Sequence, residues 1–257
     1  MHLDPRETDI WLPPSYGADP AARFPVLYMH DGQNLFDPDE SDSGKAWRID
    51  EAITRLAAGG HIREAIIVGV WSSPGHRRQD YMPRKPVEDS DPTGGDGAPP
   101  AGKLSSDAYL DFLVHELKPS IDANYRTLAG RDDTFVMGSS MGGLVSLYAA
   151  AEHPDVFGGV GAISTHWPAG DGVVIEWLAG NLPDPSTHRL YFDHGTRSKD
   201  AEYGPYQARM DDAMRRAGYE EGRNWRTYVF EGDGHQEDAW RRRVHAPLEF
   251  LLGVSSG

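Results

Sequence analysis

Six short runs in this chain are almost continuously apolar and rich in β-branched or aromatic residues. Their alternation with helix-period stretches restricts the chain to a few folds. The runs are PVLYMH (25–30), AIIVGVW (65–71), DTFVMG (133–138), FGGVGAIS (157–164), RLYFDHG (189–195) and RTYVFEG (226–232). A strand with one wet face shows polar residues at every second position, whereas a strand covered on both faces, as in a parallel sheet, does not. Helical periodicity fills the intervals at 47–59, 105–123, 142–152, 205–217 and 236–252. Such alternation predicts one open, mostly parallel central sheet with helices on both faces. ETDIWLP (7–13) adds an early strand, for which an antiparallel setting is open. With no internal repeat and no clean linker, residues 1–257 read as a single domain.

One segment breaks the pattern. PRKPVEDSDPTGGDGAPPAGK (83–103) holds five prolines and four glycines in 21 residues, which oppose both helix and strand interiors. It is expected to be a long insertion, either a plain surface loop or the rim or lid of a cleft.

Charge and cysteine usage remove several function classes. Forty acidic residues against 25 Lys and Arg give a formal charge of −15, a field that repels nucleic-acid phosphates and anionic lipid surfaces. Neither is expected as a partner. The absence of cysteine rules out disulfides, thiolate nucleophiles, iron–sulfur clusters and cysteine-based zinc sites. Charges and prolines occupy the opening MHLDPRETDIWLPPSY, where a signal peptide needs an apolar run. No stretch reaches the roughly 18 apolar residues of a membrane helix. A soluble chain is expected, with its compartment unassigned.

The chemistry concentrates at DTFVMGSSMGGLVSLYAAAE (133–152), where an apolar strand runs into G-S-S-M-G and then into a helix rich in alanine and leucine. A G-x-S-x-G pattern in that setting predicts a sharp strand-to-helix turn that holds Ser140 as a nucleophile. Gly138 and Gly142 leave room for the close approach, and the helix directs N–H groups at the reacting oxygen. Ser139, in the flanking position, is the lesser candidate. A seryl hydroxyl needs a general base, and the base needs an orienting carboxylate. His235 suits the base, because it follows the last strand and the Gly232-Asp233-Gly234 turn and precedes the final helix. The acid is expected after strand 189–195. Asp200 in the loop is favoured, with Asp193 at the strand end and Glu202 as alternatives. The second member of an oxyanion hole, beside the Met141 N–H, is expected from His30-Asp31-Gly32-Gln33-Asn34, with Gln33 preferred over Gly32. A local turn hydrogen bond is the expected role of Asp31. His30, Trp71 and Trp167 end or follow strands where open α/β sheets bind ligands, so they are candidates for substrate contact.

Several motifs carry a resemblance to a known family. They are IWLPPSY (10–16), PVLYMHDGQNLFD (25–37), the spacing of Arg77, Tyr81 and Pro83, HELKPSIDANYRT (115–127), the stretch VMGSSMGGLVSLYAAAEHPDVFGGVGAIS, and the DHGTRSKD and DGHQEDAW loops. Over nearly its whole length the chain resembles the putative-esterase, esterase-D-like group of α/β-hydrolases, which includes carbohydrate esterase family one. The resemblance implies an α/β-hydrolase fold, Ser140, Asp200 and His235 as the triad, Gln33 as second oxyanion donor, and no metal or organic cofactor. Activities in the family include removal of acetyl or feruloyl groups from polysaccharides, hydrolysis of siderophore esters and S-formylglutathione, and mycolyl transfer. A serine-dependent esterase acting on a small-molecule or carbohydrate-linked ester is therefore expected. An acyltransferase with a hydroxyl acceptor, and a non-catalytic carbohydrate-binding or scaffold protein, are the alternatives.

Overall fold

A computed structural model describes residues 5–41, 43–90 and 101–254. Among these residues, seven strands form one sheet: β1 (Thr8–Trp11), β2 (Val26–His30), β3 (Ile66–Val70), β4 (Thr134–Ser139), β5 (Gly159–Ile163), β6 (Arg189–Gly195) and β7 (Trp225–Phe230). Their order is β1-β3-β2-β4-β5-β6-β7. Only β1 is antiparallel, pairing Thr8 with Val70 and Trp11 with Ile67. The remaining pairs are parallel.

The apolar runs have the cause expected of them. Val26 and Tyr28 of β2 pack on one face with Val68 and Val136, while Leu27 and Met29 pack on the other with Ile67, Phe135 and Met137. Successive side chains point to opposite faces, so two separate helical layers each cover one face of the inner strands, while the edge strands β1 and β7 are only partly covered. One layer contributes α1 (Ile49–Ala58) and the terminal pair α9 (Glu237–Arg243) and α10 (His245–Leu252). The break at Val244 has a local reason, because Pro247 has no N–H to give the carbonyl four residues back. The other layer includes α6 (Met141–Glu152), which is buried at ten positions from Met141 to Ala150. A helix apolar on all sides belongs inside a fold.

Three parts of the chain depart from the sequence expectations. The segment 83–103 is not structureless at its start. A short α2 (Arg77–Tyr81) is followed by α3 (Arg84–Ser90), and Ala101–Lys103 forms a 3-10 turn. Pro86 stands in the first turn of α3, where a missing N–H costs nothing, and Val87 is buried in the core. An Arg84–Glu88 pair at 2.7 Å supports the helix from within, and an ion pair from Lys85 to Glu152 ties it to α6. Residues 91–100, the richest in glycine and proline, lie outside the described residues. The helix expected at 105–123 is α4 (Ser106–Asp111) and α5 (Lys118–Asn124) joined by a π-helical turn, Phe112–Leu117. Pro119 just beyond that turn again lacks a donor. Periodicity had not marked α7 (Val173–Asn181), whose sequence VVIEWLAGN is apolar enough to read either way; α8 (Gly204–Arg216) follows β6 as expected.

The strand order fixes where a ligand can sit. From β2 the chain moves outward to β3, then returns to β4 on the opposite side and continues outward to β7. Loops leaving the carboxyl ends of β2 and β4 therefore diverge and open a crevice at the reversal. His30 ends β2 and Ser139 ends β4 at that crevice. This is the α/β-hydrolase fold. Among the described residues, no helix is long and apolar enough to cross a membrane.

Candidate active site

Ser140 joins β4 to α6 with φ 59° and ψ −121°, a conformation that an L-residue adopts only under constraint. The constraint is visible. The Ser140 N–H donates to the Ile163 carbonyl at 2.9 Å, and its own carbonyl accepts the His166 N–H at 3.1 Å. The two pattern glycines differ in what they contribute. A Cβ on Gly138 would stand 2.9 Å from the Gly142 carbonyl carbon, whereas one on Gly142 would meet nothing closer than His30 Cβ at 3.4 Å. Gly143, which sequence reasoning did not single out, is as tight as Gly138, with Thr165 Oγ1 2.6 Å from its would-be Cβ.

The loops after β6 and β7 meet through backbone bonds. The Asp233 carbonyl accepts the Thr196 and Arg197 N–H groups at 3.0 and 2.9 Å, and Thr196 Oγ1 accepts the Gly232 N–H at 2.9 Å. Gly195 permits this approach, since a Cβ there would lie 2.2 Å from the Asp233 carbonyl oxygen. The result places His235 Nδ1 2.7 Å from Asp200 Oδ1. Asp200 Oδ2 accepts the Ser164 hydroxyl at 2.6 Å and the Gly195 N–H at 2.7 Å. Burial pushes the Asp200 carboxyl up, but the hydrogen bonds from His235, Ser164 and Gly195 outweigh it and hold the group below its ordinary value. Trp240 and Tyr203 flank the imidazole, each ring nearly perpendicular to it, with centroids at 5.1 and 5.8 Å.

Asp193 is elsewhere. Its carboxylate is 3.0 Å from Arg243 and accepts the Tyr191 hydroxyl at 3.1 Å. Of the two aspartates it is therefore Asp200 that the fold sets against the imidazole.

Met141 begins α6, so its N–H has no acceptor within the helix. Gln33 lies in the 3-10 turn Gly32–Asn34, whose first bond runs from the Asn34 N–H to the Asp31 carbonyl, one residue beyond the Gln33 N–H. The Gln33 side chain is taken up by Ser72, donating to its hydroxyl at 2.7 Å and accepting its N–H at 3.2 Å. What Gln33 presents to the site is therefore its backbone. Asp31 does more than close a turn. It sits at φ 58° and receives a bidentate ion pair from Arg77 at 2.6 and 2.7 Å, while its N–H donates to the Tyr81 hydroxyl at 3.2 Å. Arg77 and Tyr81 are four residues apart on α2, hence on one face. The Gly32 backbone presses on Gly69 and Trp71, where a Cβ would find atoms at 2.7 Å.

A cavity of about 300 Å³ joins these parts, lined by Ser140, His235, Gln33, the Asp31–Arg77 pair and Lys199, among others. Asn34, Ser43, Glu237 and Trp240 also line it, and none of them was expected to contact substrate. Among the described residues, the three expected substrate contacts do not line it. Trp167 is 1% exposed, leans on Phe192 and donates its indole N–H to Gln207 at 2.9 Å. The Trp71 indole N–H turns outward to Asp9. His30 lies beneath the elbow, with Nδ1 2.7 Å from the Tyr109 hydroxyl, and burial pushes it down to about 3, so it is neutral. Each of these residues ends or follows a strand, but its packing leads away from the cavity: His30 against Tyr81 and Tyr109, Trp167 against Phe192, and Trp71 towards Asp9. Among the described residues, no group of three or more His, Asp or Glu side chains is placed to hold a metal ion.

Comparison with known proteins shows the family and agrees with the fold. The model of the family described as "Putative esterase" matches residues 4–251. The chain is similar to the uncharacterized protein YbbA of Bacillus subtilis, with 27% identity over 197 residues, 74% of this chain and 68% of that protein. It is also similar to an endo-1,4-beta-xylanase/feruloyl esterase of Xylanibacter ruminicola, 26% identical over 248 residues; the match spans 95% of this chain but only 29% of that longer protein. Among solved structures, an IroE-like serine hydrolase from Shewanella oneidensis superposes with a TM-score of 0.70 at 21% identity, covering 96% of this chain and 74% of the other.

Proposed function

This chain belongs to the Putative esterase family, and from that premise we propose that it is a serine-dependent carboxylic ester hydrolase that works through an acyl-enzyme. The observation that carries the reading is a strained Ser140 facing the same cavity as an imidazole whose far nitrogen is 2.7 Å from a buried carboxylate.

In this reading Ser140 Oγ attacks the ester carbonyl carbon as its proton passes to His235 Nε2. Asp200, an acceptor only, holds the proton on Nδ1 and so leaves Nε2 free to act as base. The negative charge that forms on the carbonyl oxygen is taken by the N–H groups of Met141 and Gln33. The bond to the alcohol oxygen breaks, and that oxygen leaves with the proton from His235. Water then repeats the sequence on the acyl-enzyme: its proton goes to His235, the acid departs, and Ser140 recovers the proton.

The proposed substrate is an acetyl or feruloyl ester of a carbohydrate or similar hydroxyl-rich alcohol. A feruloyl esterase name in one relative supports the aromatic acyl group. The small cavity, with Asp31, Asn34, Ser43, Arg77, Lys199 and Glu237 around it, favours a short acyl group on a polar alcohol over a long alkyl chain.

Brief exposure to activated acetyl, feruloyl and longer acyl esters, followed by mass spectrometry of the intact chain, tests the mechanism. The expected result is an acyl adduct on Ser140 that is absent in Ser140→Ala, with the adduct rate ranking the acyl groups. Hydrolysis at an unchanged rate in Ser140→Ala would overturn the reading.

A further inference from the structure

Behind Asp200 lies a group of charges that the acyl-transfer chemistry does not itself use. Arg243 of α9 is 1% exposed, and its guanidinium is shared by three carboxylates. Nη2 is 3.0 Å from Asp193 and 3.5 Å from Asp200, and Nη1 is 3.4 Å from Asp233. Ser164, held at φ 40° and fully buried, is the hub. Its hydroxyl donates to Asp200 Oδ2 at 2.6 Å and accepts from Arg243 Nη2 at 2.6 Å and from Trp240 Nε1 at 3.0 Å. Trp240 and Arg243 are three residues apart, so one face of α9 reaches both Ser164 and the His235 ring.

A cation beside a triad acid is on its face harmful. When His235 takes the Ser140 proton, the imidazolium is stabilised by the Asp200 charge, and an unopposed Arg243 would cancel that charge. Asp193 removes the conflict. It is nearer to Arg243 than Asp200 is, equally buried, and held by the Tyr191 hydroxyl and the Ser164 N–H. With both aspartates ionised, the fully buried trio Asp193, Asp200 and Arg243 carries one net negative charge, matching the one positive charge that develops on the imidazole, while the charge of the third carboxylate, Asp233, is met by the exposed Arg242 at 2.6 Å.

We propose that Asp193 and Arg243 are paired positioning residues: Arg243 and Ser164 fix Asp200, and Asp193 takes up the Arg243 charge so that the Asp200 charge remains available to His235. This rests on the Ser140–His235–Asp200 reading above. The other charged or titratable groups around the imidazole are Lys199 and Glu237 in the cavity, the Asp31–Arg77 pair across it, and Tyr203. Around Asp193 and Arg243 they are Tyr191, Tyr228 and Asp233. All are unchanged in the variants below.

The test is the pH profile of kcat/KM on an activated acetate ester for wild type, Asp193→Asn, Arg243→Gln and the double variant. Removing Asp193 makes the surroundings of His235 less negative. The acid limb of the profile then moves to lower pH by about one unit, a tenfold change in proton concentration at half-activity, and the plateau falls roughly tenfold. Removing Arg243 moves the limb the other way, and the double variant returns it towards wild type. The two single changes push in opposite directions, so a fold defect in one does not remove the test, and a merely structural role predicts no displacement in either. Limbs that coincide with wild type in the folded variants overturn the inference. If they coincide while Ser140→Ala and His235→Ala are inactive, only this inference fails; if those two variants remain active, the proposed function itself fails.

Discussion

Asp200 illustrates how a single residue acquires a role from what surrounds it. Three hydrogen bonds hold its carboxyl below the ordinary value in spite of burial. A carboxylate depressed in the folded state contributes stability above its unfolded value, about 3.9, and that contribution is lost as pH falls through the lower folded value. Asp200→Asn is therefore expected to lower Tm by a constant amount between pH 8 and about pH 5, with the gap narrowing below about pH 4. Thermal melts of both proteins across that range check the sign. Activity responds separately: the amide offers His235 the wrong partner, and kcat should fall by about 10⁴. A loss of less than about tenfold would remove Asp200 from the triad. From sequence, two aspartates seven residues apart on one strand and loop were both plausible acids. The choice between them depends on which one the approach of the Asp233 carbonyl to Gly195 brings against the imidazole, and no local pattern records that approach.

At the scale of the element, α2 shows how a short helix can govern a distant loop. Its five residues place Arg77 and Tyr81 on one face, and together they hold Asp31, the residue that turns the chain into the proposed Gln33 donor position. Arg77→Ala is expected to reduce kcat about tenfold or more with little change in KM, because a displaced donor weakens the hold on the oxyanion and not on the ground state. Arg77→Lys should not restore it, since a point charge cannot reproduce a bidentate clamp. Steady-state kinetics on one neutral ester decide both points, and a Lys variant equal to wild type would contradict the clamp. The R-x-x-x-Y spacing was visible in the sequence, but its partner 46 residues upstream was not. Likewise α3 was hidden because proline and glycine counts over 83–103 average a helical start, Arg84–Ser90, with the residues after it.

For the whole molecule the governing quantity is charge. A formal −15 repels anions at a distance, and the effect is screened within about 10 Å at 0.1 M salt. Raising ionic strength from 0.01 to 0.5 M should increase kcat/KM several-fold for an ester bearing a carboxylate and leave a neutral ester nearly unchanged. An equal response of both substrates would show that long-range steering plays no part.

The alternation of apolar runs determined the α/β architecture on its own, because a strand covered on both faces and a helix with one or no wet face leave local periodic signatures. The elbow at Ser140 was legible for the same reason: a glycine-flanked turn between strand and helix is a short-range constraint. The order of strands in the sheet, the Asp31–Arg77 clamp, the burial of His30 and Trp167 away from the cavity and the sharing of Arg243 by three aspartates came only from the tertiary structure. These depend on which loops converge at the carboxyl ends of β2, β4, β6 and β7, and contacts across tens to more than a hundred residues leave no period in the chain.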